Sequence, residues 1–276
     1  MEMYQAVILG IIQGLTEFLP VSSSGHLVLF QHLFGLSEPQ LFFDISLHVG
    51  TLLAVALIYL KEIKGMINAF FKLMVSVFKN EKTSDILATD PDARLFYLIV
   101  LGSIPTGVIG LFLKNYADTI FSSITVVGCM LIITGILLWV TRKRTDTHLL
   151  IKDVSPKKAF IIGTIQGLAV MPGISRSGST IAAGLFMGLE RETAARYSFL
   201  LSMPAIMAAE FIGLIDGFST DFNINSLTAV GTATAFITGY MALRVLLKIV
   251  KKGRLHLFAF YCWAIGILAV FSGVFF

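Results

Sequence analysis

Runs of apolar residues long enough to cross a bilayer recur from one end of this chain to the other, and that recurrence limits the folds open to it. A helix needs roughly 20 such residues to traverse the hydrocarbon core. Within the 276 residues, apolar segments occupy approximately 5–32, 42–60, 95–113, 123–141, 159–190, 196–215, 227–247 and 256–276. Only 14% of residues are charged and 56% are hydrophobic, against about 25% charged in a soluble domain. No stretch is left for a soluble domain. The expected class is all-α, a polytopic membrane protein.

The net charge of +4 does not point to nucleic acid, because the basic residues fall between apolar spans and act there as determinants of orientation. Lys64, Lys72, Lys79 and Lys82 lie in one connection. Arg142, Lys143, Arg144, Lys152, Lys157 and Lys158 lie in another, and Lys248, Lys251, Lys252 and Arg254 in a third. Connections 33–41, 114–122 (only Lys114) and 216–226 are nearly free of them. The positive-inside rule puts the first set in the cytoplasm and the second outside. The stretch Lys61–Lys79 alternates lysines with Ile63, Met66, Ile67, Phe70, Phe71, Met74, Val77 and Phe78. It reads as an interfacial amphipathic helix or as an extension of the preceding span. Cys129 and Cys262 stand alone in apolar segments, without metal or disulfide spacing, and are expected to be small buried core residues. The N-terminus lacks the basic region of a cleaved signal peptide, so the first apolar segment is expected to be retained.

Two segments, 5–32 and 159–190, are broken in the middle by Pro, Gly and Ser. Such breaks are tolerated at membrane depth only when buried in protein or lining a polar cavity. Segment 159–190 follows a basic connection and ends at Arg191 and Arg196, so it is expected to be re-entrant from the cytoplasmic side, and by the same logic 5–32 from outside. They also match each other. Gly10, Gln13 and Gly14 recur as Gly163, Gln166 and Gly167. Pro20-Val-Ser22-Ser23-Ser24-Gly25-His26 is echoed by Pro172-Gly173-Ile-Ser175-Arg176-Ser177-Gly178-Ser179, with a one-residue slip at the proline. Each copy precedes three unbroken spans. An odd number of spans inverts the second copy, which predicts an inverted-topology repeat of 1–145 and 153–276 within one membrane domain, the broken helices meeting near the midplane. The Gly-x-x-x-Gly pairs at 10/14, 163/167 and 184/188 supply faces for close helix packing.

The broken segments carry the residues able to do chemistry. Gln13 and Glu17 share a helix face. A carboxylate in an apolar segment is costly unless paired, protonated or metal-bound. Glu17 is thus a candidate cation ligand or general base, the alternative being a carboxylate satisfied by serine hydroxyls and backbone donors. Ser22, Ser23 and Ser24 follow Pro20 and suit the start of a half-helix, whose free N–H groups favour phosphate. His26 lies just beyond. In the second copy, Arg176 between Ser175 and Ser177 offers a bidentate fork to phosphate, or a structural partner to Glu17, and Thr180 adds a hydroxyl. Asp44, His48 and Glu210 are weaker candidates.

With these motifs in view, the chain resembles the bacterial undecaprenyl pyrophosphate phosphatases, also called bacitracin resistance proteins. The matches are Gln13-Gly-Leu-Thr-Glu17, Phe18 to His26, and Pro172 to Thr180. The resemblance implies hydrolysis of undecaprenyl diphosphate to the monophosphate, a lipid carrier for cell-wall polymers. It further implies a divalent cation (Mg²⁺ or Ca²⁺), a place in the bacterial plasma membrane and a site open to the outer face. Gln at position 13 argues against any scheme needing two carboxylates. Type 2 phosphatidic acid phosphatases share Ser24-Gly25-His26 but have a His and an Asp after the second Ser-Arg motif, and nothing near Arg176 supplies that pair. The expected roles are Arg176, Ser175 and Ser177 as phosphate clamp, with Gln13, Ser22, Ser24 and Thr180 contributing, Gln13 and Glu17 at the metal, and Ser23 as nucleophile. His26 is expected as base, acid or rival nucleophile. The expected partners are the prenyl diphosphate and membrane lipid, and a homodimer is compatible with the sequence. The alternative from another class is a prenyl-phosphate transporter or flippase, since inverted repeats with broken helices are a transporter architecture.

Overall fold

The computed structural model describes residues 1–36, 40–79, 82–114, 123–143, 148–216 and 225–275. Arg144 and parts of the three weakly charged connections lie outside them. The described residues form twelve α-helices with three short 3-10 turns. In chain order they are α1 (Met3–Phe18), α2 (Ser23–Leu33), α3 (Leu41–Ile58), α4 (Leu60–Phe78), α5 (Thr83–Thr89), α6 (Pro91–Lys114), α7 (Ile124–Val140), α8 (Pro156–Leu168), α9 (Arg176–Phe186), α10 (Arg191–Asp216), α11 (Ser226–Lys251) and α12 (Phe258–Phe275).

Six of these, α3, α6, α7, α10, α11 and α12, are long and apolar enough to cross a membrane. They coincide with the six unbroken segments of the sequence, and the protein is a multi-pass membrane protein. The broken segments resolve into the pairs α1/α2 and α8/α9. Their members run to only 16, 11, 13 and 11 residues, each short of the roughly 20 needed to span.

The packing partners cross between the first and second halves of the chain. Helix α1 lies along α11, and α8 lies along α6; α11 also packs on α3 as α6 does on α10, while α7 pairs with α12. Each broken segment therefore beds against the middle span of the other half. The glycine pairs make that approach feasible. A Cβ on Gly10 would stand 2.7 Å from the Gly231 carbonyl oxygen, and one on Gly167 would stand 2.8 Å from Ile109 Cβ. A Cβ on Gly163 would fall on the backbone of Gly102. Thr106 Oγ1 closes the second contact by donating to the Gly163 carbonyl at 2.8 Å.

Helix α4 is a helix in its own right, set off from α3 at Tyr59. Its Ile63 and Met66 pack against the core while Phe71 and Phe78 stay exposed. Of the two cysteines, Cys262 is buried, its thiol donating to the Pro20 carbonyl at 3.3 Å. Cys129 corrects the expectation of burial: it is exposed, because α7 turns the Gly128/Gly135 face toward α12 and leaves Cys129 on an apolar outer surface that suits lipid.

Candidate active site

The two breaks meet. The Gly173 N–H donates to Ser22 Oγ at 3.1 Å, joining loops 151 residues apart in the chain. Ser22 is the one non-glycine among the described residues with positive φ, at 70°, and Gly173 stands at 87°. A left-handed turn costs a side-chain-bearing residue of order 1–3 kcal/mol, so surrounding contacts must hold Ser22 there. Ser22 occupies the N-cap position of α2 without making the cap bond; its hydroxyl is engaged by the opposite loop. Ser175 caps α9 as a serine should, accepting from the Gly178 N–H at 3.1 Å. Ser175 N–H also donates to Thr134 Oγ1 at 3.1 Å.

Beyond the caps, the first residues of the two half-helices are Ser23 and Arg176, equivalent positions in the repeat. Both reach one carboxylate. Ser23 Oγ donates to Glu17 Oε2 at 2.7 Å, and Arg176 Nη2 pairs with Glu17 Oε1. Gln13 Nε2 donates to Glu17 Oε2 at 3.1 Å. Glu17 is buried at the C-terminal end of α1, whose 3.6-residue period sets Gln13 one turn behind it.

Glu17, Ser23 and Arg176 line a cleft of about 780 Å³ together with Ser22, Ser24 and Ser175, while Gln13 stands behind Glu17 outside the lining. Thr106 and Gln166, and Ala205, Ile206, Ala209 and Glu210 of α10, complete the walls. His48 Nε2 stands 3.9 Å from Glu17 Oε2, and its Nδ1 stands 3.4 Å from Glu210 Oε1 and 2.9 Å from the Asp44 carbonyl. His48 and Glu210, weak candidates in the sequence, thus flank the carboxylate on the side of α3 and α10. Asp44 does not join them by its side chain, which accepts from Gln31 Nε2 at 2.7 Å.

The remaining expected residues take supporting places. His26 lies outside the cleft lining: its Nδ1 is 2.8 Å from the Ser22 carbonyl and its Nε2 is 2.7 Å from Tyr261 Oη, with the ring stacked on Tyr261. Ser177 is buried with its hydroxyl 3.2 Å from Ser175 Oγ. Thr180 Oγ1 donates to the Arg176 carbonyl at 2.8 Å and lies 2.5 Å from Ser198 Oγ, bracing the first turn of α9. Among the lining residues not foreseen are Thr16, Gln166 and Thr106, the last two hydrogen-bonded to each other at 3.3 Å. The signal for Gln166 was present as its match to Gln13. Both glutamines keep a buried Oε1 that accepts no hydrogen bond among the described residues.

The His48–Glu210 contact is testable. His48→Ala should lower turnover about tenfold, about 1.4 kcal/mol, through loss of the imidazole that stands between the Glu17 and Glu210 carboxylates, with Glu210→Gln similar. Phosphate-release rates indistinguishable from the parent in both variants would show that the pair only fills space.

The cleft therefore combines a hydroxyl on a carboxylate, a guanidinium, and two helix N-termini with free N–H groups suited to phosphate. Comparison with known proteins gives the same direction. Undecaprenyl-diphosphatase of Desulforapulum autotrophicum is 55% identical over 273 residues, 99% of this chain and 99% of that protein. The enzyme of that name from Desulfosudis oleivorans is 52% identical over 277 residues (99% and 100%), and that from Halothermothrix orenii 43% over 280 residues (100% of each). The profile of the bacitracin resistance protein BacA matches residues 6–268, and the chain belongs to that family.

Proposed function

We infer that this protein hydrolyses the phosphoanhydride bond of undecaprenyl diphosphate, giving undecaprenyl phosphate and inorganic phosphate. The observation that carries the reading is Glu17 held between Ser23 and Arg176 where two half-helices begin. Phosphoryl transfer depends mainly on positioning and on stabilising charge spread over the phosphoryl oxygens. Arg176 and the N–H groups opening α2 and α9 supply that stabilisation. Ser23 Oγ attacks the terminal phosphorus and passes its proton to Glu17 Oε2. The bond from that phosphorus to the bridging oxygen breaks, and undecaprenyl phosphate leaves. Water then attacks the phosphoserine, releasing inorganic phosphate and restoring the serine proton from Glu17. His26 supports this geometry by fixing the Ser22 carbonyl, and so the turn that presents Ser23.

A divalent cation, Mg²⁺ or Ca²⁺, fits the donor set. Glu17 and the unpartnered, buried Gln13 Oε1 are oxygen donors of the kind hard cations use alongside substrate phosphates. Bound there, the cation would neutralise phosphate charge. Chelation is expected to abolish turnover, and added Mg²⁺ or Ca²⁺ to restore it; full activity in excess chelator would remove the cation from the scheme.

The exchanged packing of α1 on α11 and α8 on α6 supports an inverted-topology repeat, and the loop charges support a cleft opening to the outer face of a bacterial plasma membrane. A carrier that released its lipid unchanged would have no use for Ser23 hydrogen-bonded to a buried carboxylate, so the transporter reading is not retained. Trapping the phosphoryl-enzyme decides the nucleophile. Label on Ser23, lost in Ser23→Ala but kept in His26→Ala, is expected; label on His26 would reverse the assignment.

A further inference from the structure

The cleft accounts for the diphosphate but not for the long apolar chain attached to it. A second space lies between α4, α6 and α10, a groove of about 1630 Å³ whose walls include Phe70, Phe71, Val100, Gly107, Met203 and Met207. Nearly all its lining is apolar, and much of that lining is exposed, with Phe71 and Met207 each at 57%.

The groove adjoins the cleft, the two being built on the same pair of helices. Helix α6 gives Thr106 to the cleft and Gly107 to the groove, and α10 gives Ala205, Ile206 and Ala209 to the cleft and Met203 and Met207 to the groove. The two spaces thus share their walls at one level. Both walls carry an internal proline there, Pro105 in α6 and Pro204 in α10, and each removes a helical hydrogen bond and loosens its helix locally. From Gly107 back to Phe96, which also lines the groove, α6 runs about 16 Å at 1.5 Å per residue. That length accommodates several isoprene units.

We propose that this groove is the seat of the substrate's polyprenyl chain, which leaves the cleft across the α6–α10 seam and descends toward α4. The proposal rests on the prenyl diphosphate reading of the cleft. The loop charges give it direction. A headgroup bound near the outer face must send its chain toward the cytoplasmic side, and α6 and α10 carry the groove toward their N-terminal ends, nearest the basic connections.

Gly107 offers the test, because a Cβ there meets nothing within 4 Å. Gly107→Phe fills the groove without forcing the helices apart, and Val100→Trp fills it at a second level. Each is assayed in detergent with undecaprenyl diphosphate and with dimethylallyl diphosphate, which has the same headgroup and a single isoprene unit. KM for the long substrate should rise about tenfold in both variants with little change in kcat, while kcat/KM for the short substrate stays within twofold. Unchanged KM for the long substrate in both variants would overturn the proposal and leave the groove to ordinary membrane lipid. Equal losses on both substrates would overturn it in favour of a general disturbance of the cleft. A parent enzyme that releases no phosphate from undecaprenyl diphosphate would instead sink the reading of the cleft itself.

Discussion

Replacing Arg176 by alanine should lower phosphate release from undecaprenyl diphosphate by about 10²–10³, the range for loss of one preorganised donor to a charged transition state. The loss has two sources in the structure. The guanidinium occupies the first position of α9, beside a helix N-terminus and within the cleft, so it can follow charge developing on the transferred phosphoryl group. It is also the cation paired with buried Glu17. Removing one member of a buried ion pair is commonly costly, about 3–5 kcal/mol, because the other charge is left uncompensated. Arg176→Lys should recover only part of the activity, since an ammonium lacks the planar fork. The check is steady-state phosphate release with purified protein. Turnover within a few-fold of the parent for Arg176→Ala would remove this residue from the chemistry.

The second large effect is expected on folding. Gly163→Leu places a side chain where the backbone of Gly102 already runs, so α8 and α6 must move apart. Overpacking typically costs 1–3 kcal/mol, and here the obstructing atoms are main chain and cannot rotate away, so the cost should reach at least about 3 kcal/mol. That is a large share of an overall stability of about 5–15 kcal/mol. Separation also breaks the Thr106–Gly163 hydrogen bond. A fall in the apparent melting temperature of the detergent-solubilised protein, with low recovery from membranes, is the expected result. A Gly163→Leu protein as heat-stable as the parent would contradict the close approach of these helices.

Most of the architecture could be read before any coordinates. Six spans follow from uninterrupted apolar length, and the breaks at Pro20 and Pro172 follow from residues that cannot continue a helix. The grouping of Glu17, Ser23 and Arg176 was legible because each is a polar residue in a segment where polarity is costly. Less legible were contributions from the unbroken spans. Thr106 lies in α6, where a hydroxyl can satisfy itself by bonding the preceding turn, as Thr106 does with the Gly102 carbonyl. Nothing local marks it as facing a cleft. His48 and Glu210 were visible as polar intruders, but only the packing of α3 against α10 sets them against each other. His26 is the opposite case. Its closeness in sequence to three serines suggests a shared site, whereas one helical turn carries its ring to Tyr261.

The bedding of α1 against α11 has a consequence for biosynthesis. Helix α1 depends for its close glycine contacts on a helix made about 210 residues later in the chain. At usual elongation rates of about 5–20 residues per second, the nascent α1 waits on the order of ten seconds or more for that partner. During the interval its glycine face has no permanent shelter from lipid. Early insertion must therefore rely on provisional contacts, and a chain truncated before α11 would leave its first helix unhoused and open to quality-control proteases.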